Sequence, residues 1–200
     1  MHETETPRRI DWMSAAMGLA TSLALAGAAW LRLAPPPLPE PPVVGAPAPP
    51  LRLLDPATSE PLILFGLKGK VVWLTFWSAE GRSARADLAA LDKVWARLKA
   101  RPKFAMAAVA IDAETPDRVR AALAATKVNL PVYLAPAETR RKFGATGPRV
   151  PFHILIDESG HVGAIARGDT PGILDRLAHQ AEKWLDELEP LGPTRFADAR

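Results

Sequence analysis

Three regimes of apolar patterning follow one another along the chain. Trp12–Leu31 carries no charge, residues 34–50 are broken repeatedly by proline, and from Leu51 short apolar runs alternate with amphipathic stripes. Within the last regime, "KGKVVWLTFW" (68–77) is a continuous apolar run bounded by Gly69 and by a turn after Trp77, as expected of a central strand buried on both faces. Leu88, Leu91, Val94, Trp95 and Leu98 then recur at helical spacing, which predicts a helix over Ala84–Ala100. "FAMAAVAID" (104–112) predicts a second buried strand, and Thr115 is placed to cap a helix that has Pro116 near its start and runs to about Thr126. A short "PVYL" strand and a short helix from Ala137 to Phe143 follow. "PFHILID", the turn Glu158-Ser159-Gly160 and "HVGAIAR" read as a hairpin. Asp169 or Thr170 is expected to cap a last helix with Pro171 in its first turn and a buried stripe of Ile173, Leu174, Leu177, Ala181, Trp184, Leu185 and Leu188. The order β-α-β-α-β-α-β-β-α predicts an α/β fold, with parallel strands first and an antiparallel hairpin at one edge.

The uncharged run Trp12–Leu31 would span about 30 Å as a helix, the thickness of a bilayer's hydrocarbon core. Trp12 and Trp30 stand near its ends, where indole rings prefer the interface, and Arg8 and Arg9 precede it while Arg32 alone follows closely. The sequence thus predicts a cytoplasmic tail (1–11), a single transmembrane helix (12–33) and a domain outside the cytoplasm. A cleaved signal peptide with a site near Ala26-Gly27-Ala28 is the competing reading, although its apolar region would be unusually long. Residues 34–50 hold nine prolines in seventeen positions, too few backbone donors for a helix or sheet. As extended polyproline at ~3.1 Å per residue they predict a stalk of up to about 50 Å. The domain is expected over 51–190, with a tail at 191–200.

Composition narrows the chemistry. A formal charge of +3, or about +4 from Leu51 onward, where 22 basic residues face 18 acidic ones, gives no case for nucleic acid. The tightest basic run, Arg140-Arg141-Lys142, reads as a solvated helix face. There is no cysteine, so disulfides, thiolate nucleophiles, thioether haem attachment and iron–sulfur ligation are all unavailable.

From about Val44 to Leu188 the chain resembles membrane-anchored periplasmic thioredoxin-like proteins of the TlpA/ResA type. The resemblance rests on Gly69-Lys70-Val71-Val72, Phe76-Trp77, Val150-Pro151, Ile156-Asp157 and Gly160, in that order and on the predicted elements. It implies a thioredoxin-like mixed sheet flanked by helices, with a cis-proline at Pro151, and a domain on the periplasmic side of a bacterial inner membrane. It also places the family's two active-site cysteines at Gly81 and Ala84, and the tryptophan before the first at Glu80. The chain is therefore a degenerate relative with the scaffold and without the sulfur.

Other residues could in principle replace the sulfur. Ser83 sits at the same helix start, where a hydroxyl normally caps the helix, and serine chemistry needs a base within reach. His153 follows Pro151 by two residues and so shares its side of the strand, where packing and hydrogen bonding account for it. His161 is expected at the hairpin turn in solvent, and His179 on the polar side of the last helix. Asp157 and Glu158 read as turn residues. No metal-site spacing is present, and no metal or cofactor is expected. Arg82, Arg85 and the amides near Ser83 could hold an anion, or simply form a solvated helix end.

These observations predict no catalytic residue and a candidate binding surface of Glu80, Arg82, Ser83, Arg149, Val150 and Pro151. The function expected is a redox-inactive, membrane-anchored binding or scaffold module, an accessory subunit of a membrane protein assembly contacting the membrane through residues 12–31. The alternatives are a cysteine-less adaptor or chaperone in periplasmic cytochrome or envelope-protein maturation, and an enzyme of non-sulfur chemistry.

Overall fold

Side-chain alternation on one strand divides the core of the protein in two. In the computed structural model, which describes residues 41–63, 67–145, 150–168 and 170–189, β3 (Val71–Trp77) is buried at every position. Val71, Trp73 and Trp77 point into one apolar cluster, while Val72, Leu74 and Phe76 point into another. This is the period-two geometry of a strand with covered faces on both sides.

Among the described residues the sheet has seven strands, in the order β2 (Pro61–Ile63), β1 (Arg52–Leu54), β5, β4, β3, β6, β7. β4 (Phe104–Ala110) lies parallel to β3 along its whole length, with Val71 opposite Phe104 and Trp77 opposite Ala110. β5 (Val132–Leu134) continues the parallel set. β6 (Phe152–Ile156) and β7 (Val162–Arg167) add the expected antiparallel hairpin on the other side of β3.

Three helices, α1 (Ala84–Leu98), α2 (Pro116–Thr126) and α4 (Ile173–Leu188), contribute buried residues to the Trp73 cluster. Leu88, Leu91, Val94 and Leu98 of α1 meet Leu177, Ala178, Ala181 and Leu185 of α4 there. The other cluster, around Phe76, Phe143 and Phe152, is closed by the end of α3 (Ala137–Lys142) and by residues ahead of β1. Trp184 of α4 approaches β7 so closely at Gly163 that a methyl there would meet the indole at 2.2 Å. Arg101 ties the far end of α4 to the α1–β4 turn, donating to Glu189 at 2.7 Å and to Asp186 at 2.9 Å.

Several features depart from the sequence reading. β1 (Arg52–Leu54) and β2 (Pro61–Ile63) form a short hairpin that three-residue runs did not announce. Its turn is built by Asp55, whose carboxylate accepts from the amides of Ala57 and Thr58; those bonds hold its pKa below the ordinary value. The last helix begins at Ile173 behind a left-handed Gly172, not behind a side-chain cap from Thr170; Asp169 lies outside the described residues. Part of the proline-rich segment is docked on the domain. Gly45 donates to the Val162 carbonyl at 2.7 Å, Val162 to that of Ala46 at 2.9 Å and Ala48 to that of Gly160 at 2.9 Å. A side chain on Gly144, whose φ is +63°, would strike Pro41 at 2.9 Å. The chain thus joins the fold ahead of Leu51. Arg140 is not a solvated residue either. Its side chain is only 21% exposed, the guanidinium donating to the Ile111 carbonyl at 2.6 Å and pairing with Glu114. The run Trp12–Leu31, the start of the stalk and the tail 191–200 lie outside the described residues, among which no helix is long and apolar enough to cross a membrane.

Candidate functional site

The loop Ser78–Ser83 leaves the carboxyl end of β3 and turns into α1. Asp112, just beyond the neighbouring strand β4, fixes it: one carboxylate oxygen accepts from the Ser78 hydroxyl at 2.9 Å and the other from the Ala79 amide at 2.6 Å. Gly81 donates to the Ser78 carbonyl and Ala84 to the Gly81 carbonyl, each at 3.1 Å, so the loop winds directly into the helix. Glu80 is ion-paired with Arg118 of α2.

Gly81 is exposed and Ala84 is 6% exposed. A side chain at Gly81 would begin 3.1 Å from the Ser78 carbonyl, so the loop would have to give by a few tenths of an ångström to admit one. Neither residue offers a nucleophile or a proton.

Ser83 occupies the helix-cap position without capping through its side chain. Its backbone is helical (φ −92°, ψ −2°), and its hydroxyl donates instead to the Asp87 carboxylate at 2.8 Å, one turn along. With the backbone already in the helical region, the hydroxyl is not presented to the amides of the first turn as a cap's is. Thr115 likewise precedes α2 without a side-chain cap bond. Arg82 and Arg85 are exposed and line a shallow hollow with Glu80, Gly81 and Arg118; neither has an ion-pair partner among the described residues.

Across from the helix start, the Val150–Pro151 peptide is cis. The Pro151 carbonyl accepts from the Gly168 amide at 2.8 Å, joining this loop to the end of β7. Val150 is half-buried and Pro151 buried, and Arg149 lies outside the described residues. Five of the six residues predicted as a surface are therefore described.

His153 points to the same side as Pro151, as the strand period requires. It is 2% exposed, its Nδ1 lies 3.0 Å from the Thr75 hydroxyl, and its ring meets Trp73 edge-on at 6.3 Å. Burial drives the imidazole down from its ordinary 6.5 to about 4, with the Gly168 backbone pulling the other way. Ser83 and His153 border one groove of about 500 Å3 between α1 and the start of α4, but each has its hydrogen bond elsewhere, to Asp87 and to Thr75.

The remaining candidates are structural. Asp157 accepts from the Ser159 amide and hydroxyl and from the His161 amide. Burial pushes its carboxyl up, but those bonds outweigh it and hold the pKa below the ordinary value. His161 is half-buried rather than solvated, with Nδ1 2.8 Å from the Ser159 hydroxyl and its backbone bridged to Pro47 of the docked segment. His179 is exposed on α4. Among the described residues, no three His, Asp or Glu side chains converge as metal ligands would.

Sequence reading missed Thr75, Asp112 and Arg118, the partners that hold His153, the loop and Glu80. Two carried a signal: Thr75 is the one polar residue inside an apolar strand, and Asp112 ends another.

No protein-family model matches the chain, and no curated protein matches it at a significant level. Solved structures do. A protein from Bacteroides thetaiotaomicron assigned as a protein disulfide isomerase matches with a TM-score of 0.64 and 25% identity, over 72% of this chain and 91% of that one. A Chlorobium tepidum protein assigned as thiol:disulfide interchange protein DsbE matches with a TM-score of 0.62 and 28% identity, over 72% of this chain and 99% of that one. The thioredoxin domain of a thiol-disulfide oxidoreductase from Bacteroides vulgatus shares the fold, with a TM-score of 0.58 and 24% identity over 72% of this chain and 98% of that one. The chain has the thioredoxin-like fold, is similar to thiol-disulfide oxidoreductases, and has no thiol.

The depressed His153 pKa makes stability depend on pH. The unfolded ring takes a proton near 6.5 and the native ring resists it down to about 4, so this contribution is complete above 6.5 and is lost as pH falls through that window. The loss approaches about 3 kcal/mol by pH 4. Urea unfolding between pH 7 and 5, above the range where carboxylates titrate, will show this slope in the wild type and not in His153→Gln. Equal slopes in both would place the titration elsewhere.

Proposed function

We propose that the protein is a redox-inactive binding module, an accessory subunit that meets a protein partner with the surface around Glu80, Arg82, Ser83, Val150 and Pro151, extended by Arg149. The observation that carries this reading is the loop and helix start held in place by Asp112, Ser78 and Arg118 around two positions, Gly81 and Ala84, that have no functional side chain. Non-enzymatic action is supported by the engagement of the two nearest candidate groups, Ser83 with Asp87 and His153 with Thr75. Exposed Arg82 and Arg85 supply polar contacts that a partner can reach.

The uncharged run Trp12–Leu31 supports anchoring in the inner membrane with this domain on the periplasmic side. Residues ahead of Pro41 serve as the tether, since those from Gly45 onward are bonded to β7.

Alkaline phosphatase fused after Arg200 will be active in cells, and a cytoplasm-dependent fluorescent protein fused there will be dark; the reverse pattern would invert the topology. In a mild-detergent pull-down of the full chain, Arg82→Glu will weaken partner retention by about 1 kcal/mol or more, roughly fivefold, with melting temperature unchanged. Full retention by the stably folded variant would move the interface to the anchor and tether.

A further inference from the structure

The segment docked ahead of β1 presents an uncharged surface. Residues 41–51 hold no charge, and five of them are proline. Ala48 and Leu51 pack on the Phe76 cluster, whereas Pro41, Val43, Val44, Pro47 and Pro50 are exposed. Val43 and Val44, at 60% and 58%, are the only large hydrophobic side chains left exposed among the described residues. They sit on a turn closed by the Ala46 amide, which donates to the Val43 carbonyl at 3.0 Å, and the bonds of Gly45 to Val162 and of Ala48 to Gly160 pin that turn to the domain. Basic residues bracket the strip. Arg52 follows it directly, and Arg141 lies three residues before Gly144, which abuts Pro41. Both arginines are exposed, and neither is in an ion pair among the described residues. Glu138, the acid on which both charges act, already accepts from Lys142 at 2.7 Å.

We propose that this strip rests on the surface of an anionic lipid bilayer, with Val43 and Val44 entering the headgroup layer and Arg52 and Arg141 meeting lipid phosphates. The inference rests on the anchoring reading above and adds a second membrane contact to it. Chain length selects the bilayer as occupant. Nine residues, 32–40, separate the uncharged run Trp12–Leu31 from Pro41, and nine residues span at most about 30 Å. Whatever their course, the strip is the first part of the domain that the anchored chain reaches, and it stays within that distance of the membrane. The two valines favour leaving water, and the prolines beside them have no amide hydrogen to desolvate. With no acid in residues 41–54, anionic headgroups meet no repulsion there, while the two arginines attract them. So small an apolar contact is weak alone, but the covalent anchor makes it intramolecular and raises its occupancy.

The test uses the full chain in vesicles of phosphatidylethanolamine and phosphatidylglycerol. Because the chain has no cysteine, Val44→Cys and Ala89→Cys each create a single site for a fluorophore, Ala89 being exposed on α1. Quenching by lipids that carry a nitroxide near the headgroup is expected to be at least about threefold greater at position 44 than at position 89. Added to Val44→Cys, either Val43→Asp or Arg141→Glu should cut that quenching by about half or more. Both positions are exposed, so the melting temperature is expected to hold. Equal quenching at positions 44 and 89, or quenching that survives either added substitution, would overturn the proposal. Alkaline carbonate extraction of the same vesicles distinguishes this from failure of the anchoring reading. A chain that stays with the lipid yet shows no excess quenching at position 44 keeps its anchor and loses this contact alone. A chain released by carbonate has no anchor, and the contact falls with it.

Discussion

Everything at the site depends on one strand that has no exposed face. β3 is covered on both sides, so it must lie inside the sheet, with helices or docked chain above and below it. The seven paired positions from Val71–Phe104 to Trp77–Ala110 leave it no freedom of register. A slip of one residue would exchange Trp73 and Trp77 for Leu74 and Phe76 between two differently shaped cores. Because β3 is fixed, the loop that follows Trp77 begins at a fixed point, and Asp112 at the end of the adjacent strand clamps it there. The start of α1, the position of Gly81 and Ala84, and the facing Pro151 loop all follow from that placement.

In a thiol-disulfide oxidoreductase the same scaffold has a chemical duty, since a helix start lowers the pKa of a sulfur placed on it. Here the scaffold persists without that duty. Glu80 is paired with Arg118, Ala84 is buried, and the Ser83 hydroxyl is directed along the helix to Asp87. The groups nearest Gly81 and Ala84 are committed to holding the local structure. Arg82, Arg85 and the groove toward α4 are what the site presents outward. Such a surface is suited to recognition.

Long apolar runs and helical stripes were legible in the sequence because burial on a fixed period leaves a repeated mark. β3, β4, α1, the β6–β7 hairpin and α4 follow from them directly. The β1–β2 hairpin was not legible: three residues give no period, and its identity depends on the Asp55 turn and on pairing with β5. Caps were misread for a related reason. Ser83, Thr115 and Thr170 are suitable residues, but whether a hydroxyl caps depends on the backbone angles and on competing acceptors, and Asp87 competes for Ser83. The docking of residues 45–48 was hidden because proline-rich composition describes what a chain cannot donate, not where its remaining amides and carbonyls find partners. At the site, Gly81, Ala84 and Pro151 came from motif order; the polar break at Thr75 and the acid at Asp112 mark those residues but not their partners, which are distant in sequence, and Arg118 carries no mark.

The proposed function requires a protein partner bound at the loop and helix start around Gly81 and Ala84. Hydrogen–deuterium exchange of the full chain, in membranes with the partner assembly intact and after its dissociation, tests this most directly. The account predicts that the assembly slows exchange of amides in Ala79–Leu91 and at the start of β6, while α3 and the β1–β2 hairpin are unaffected. Protection confined to the segment before Leu51, or to the α3 face, would contradict it.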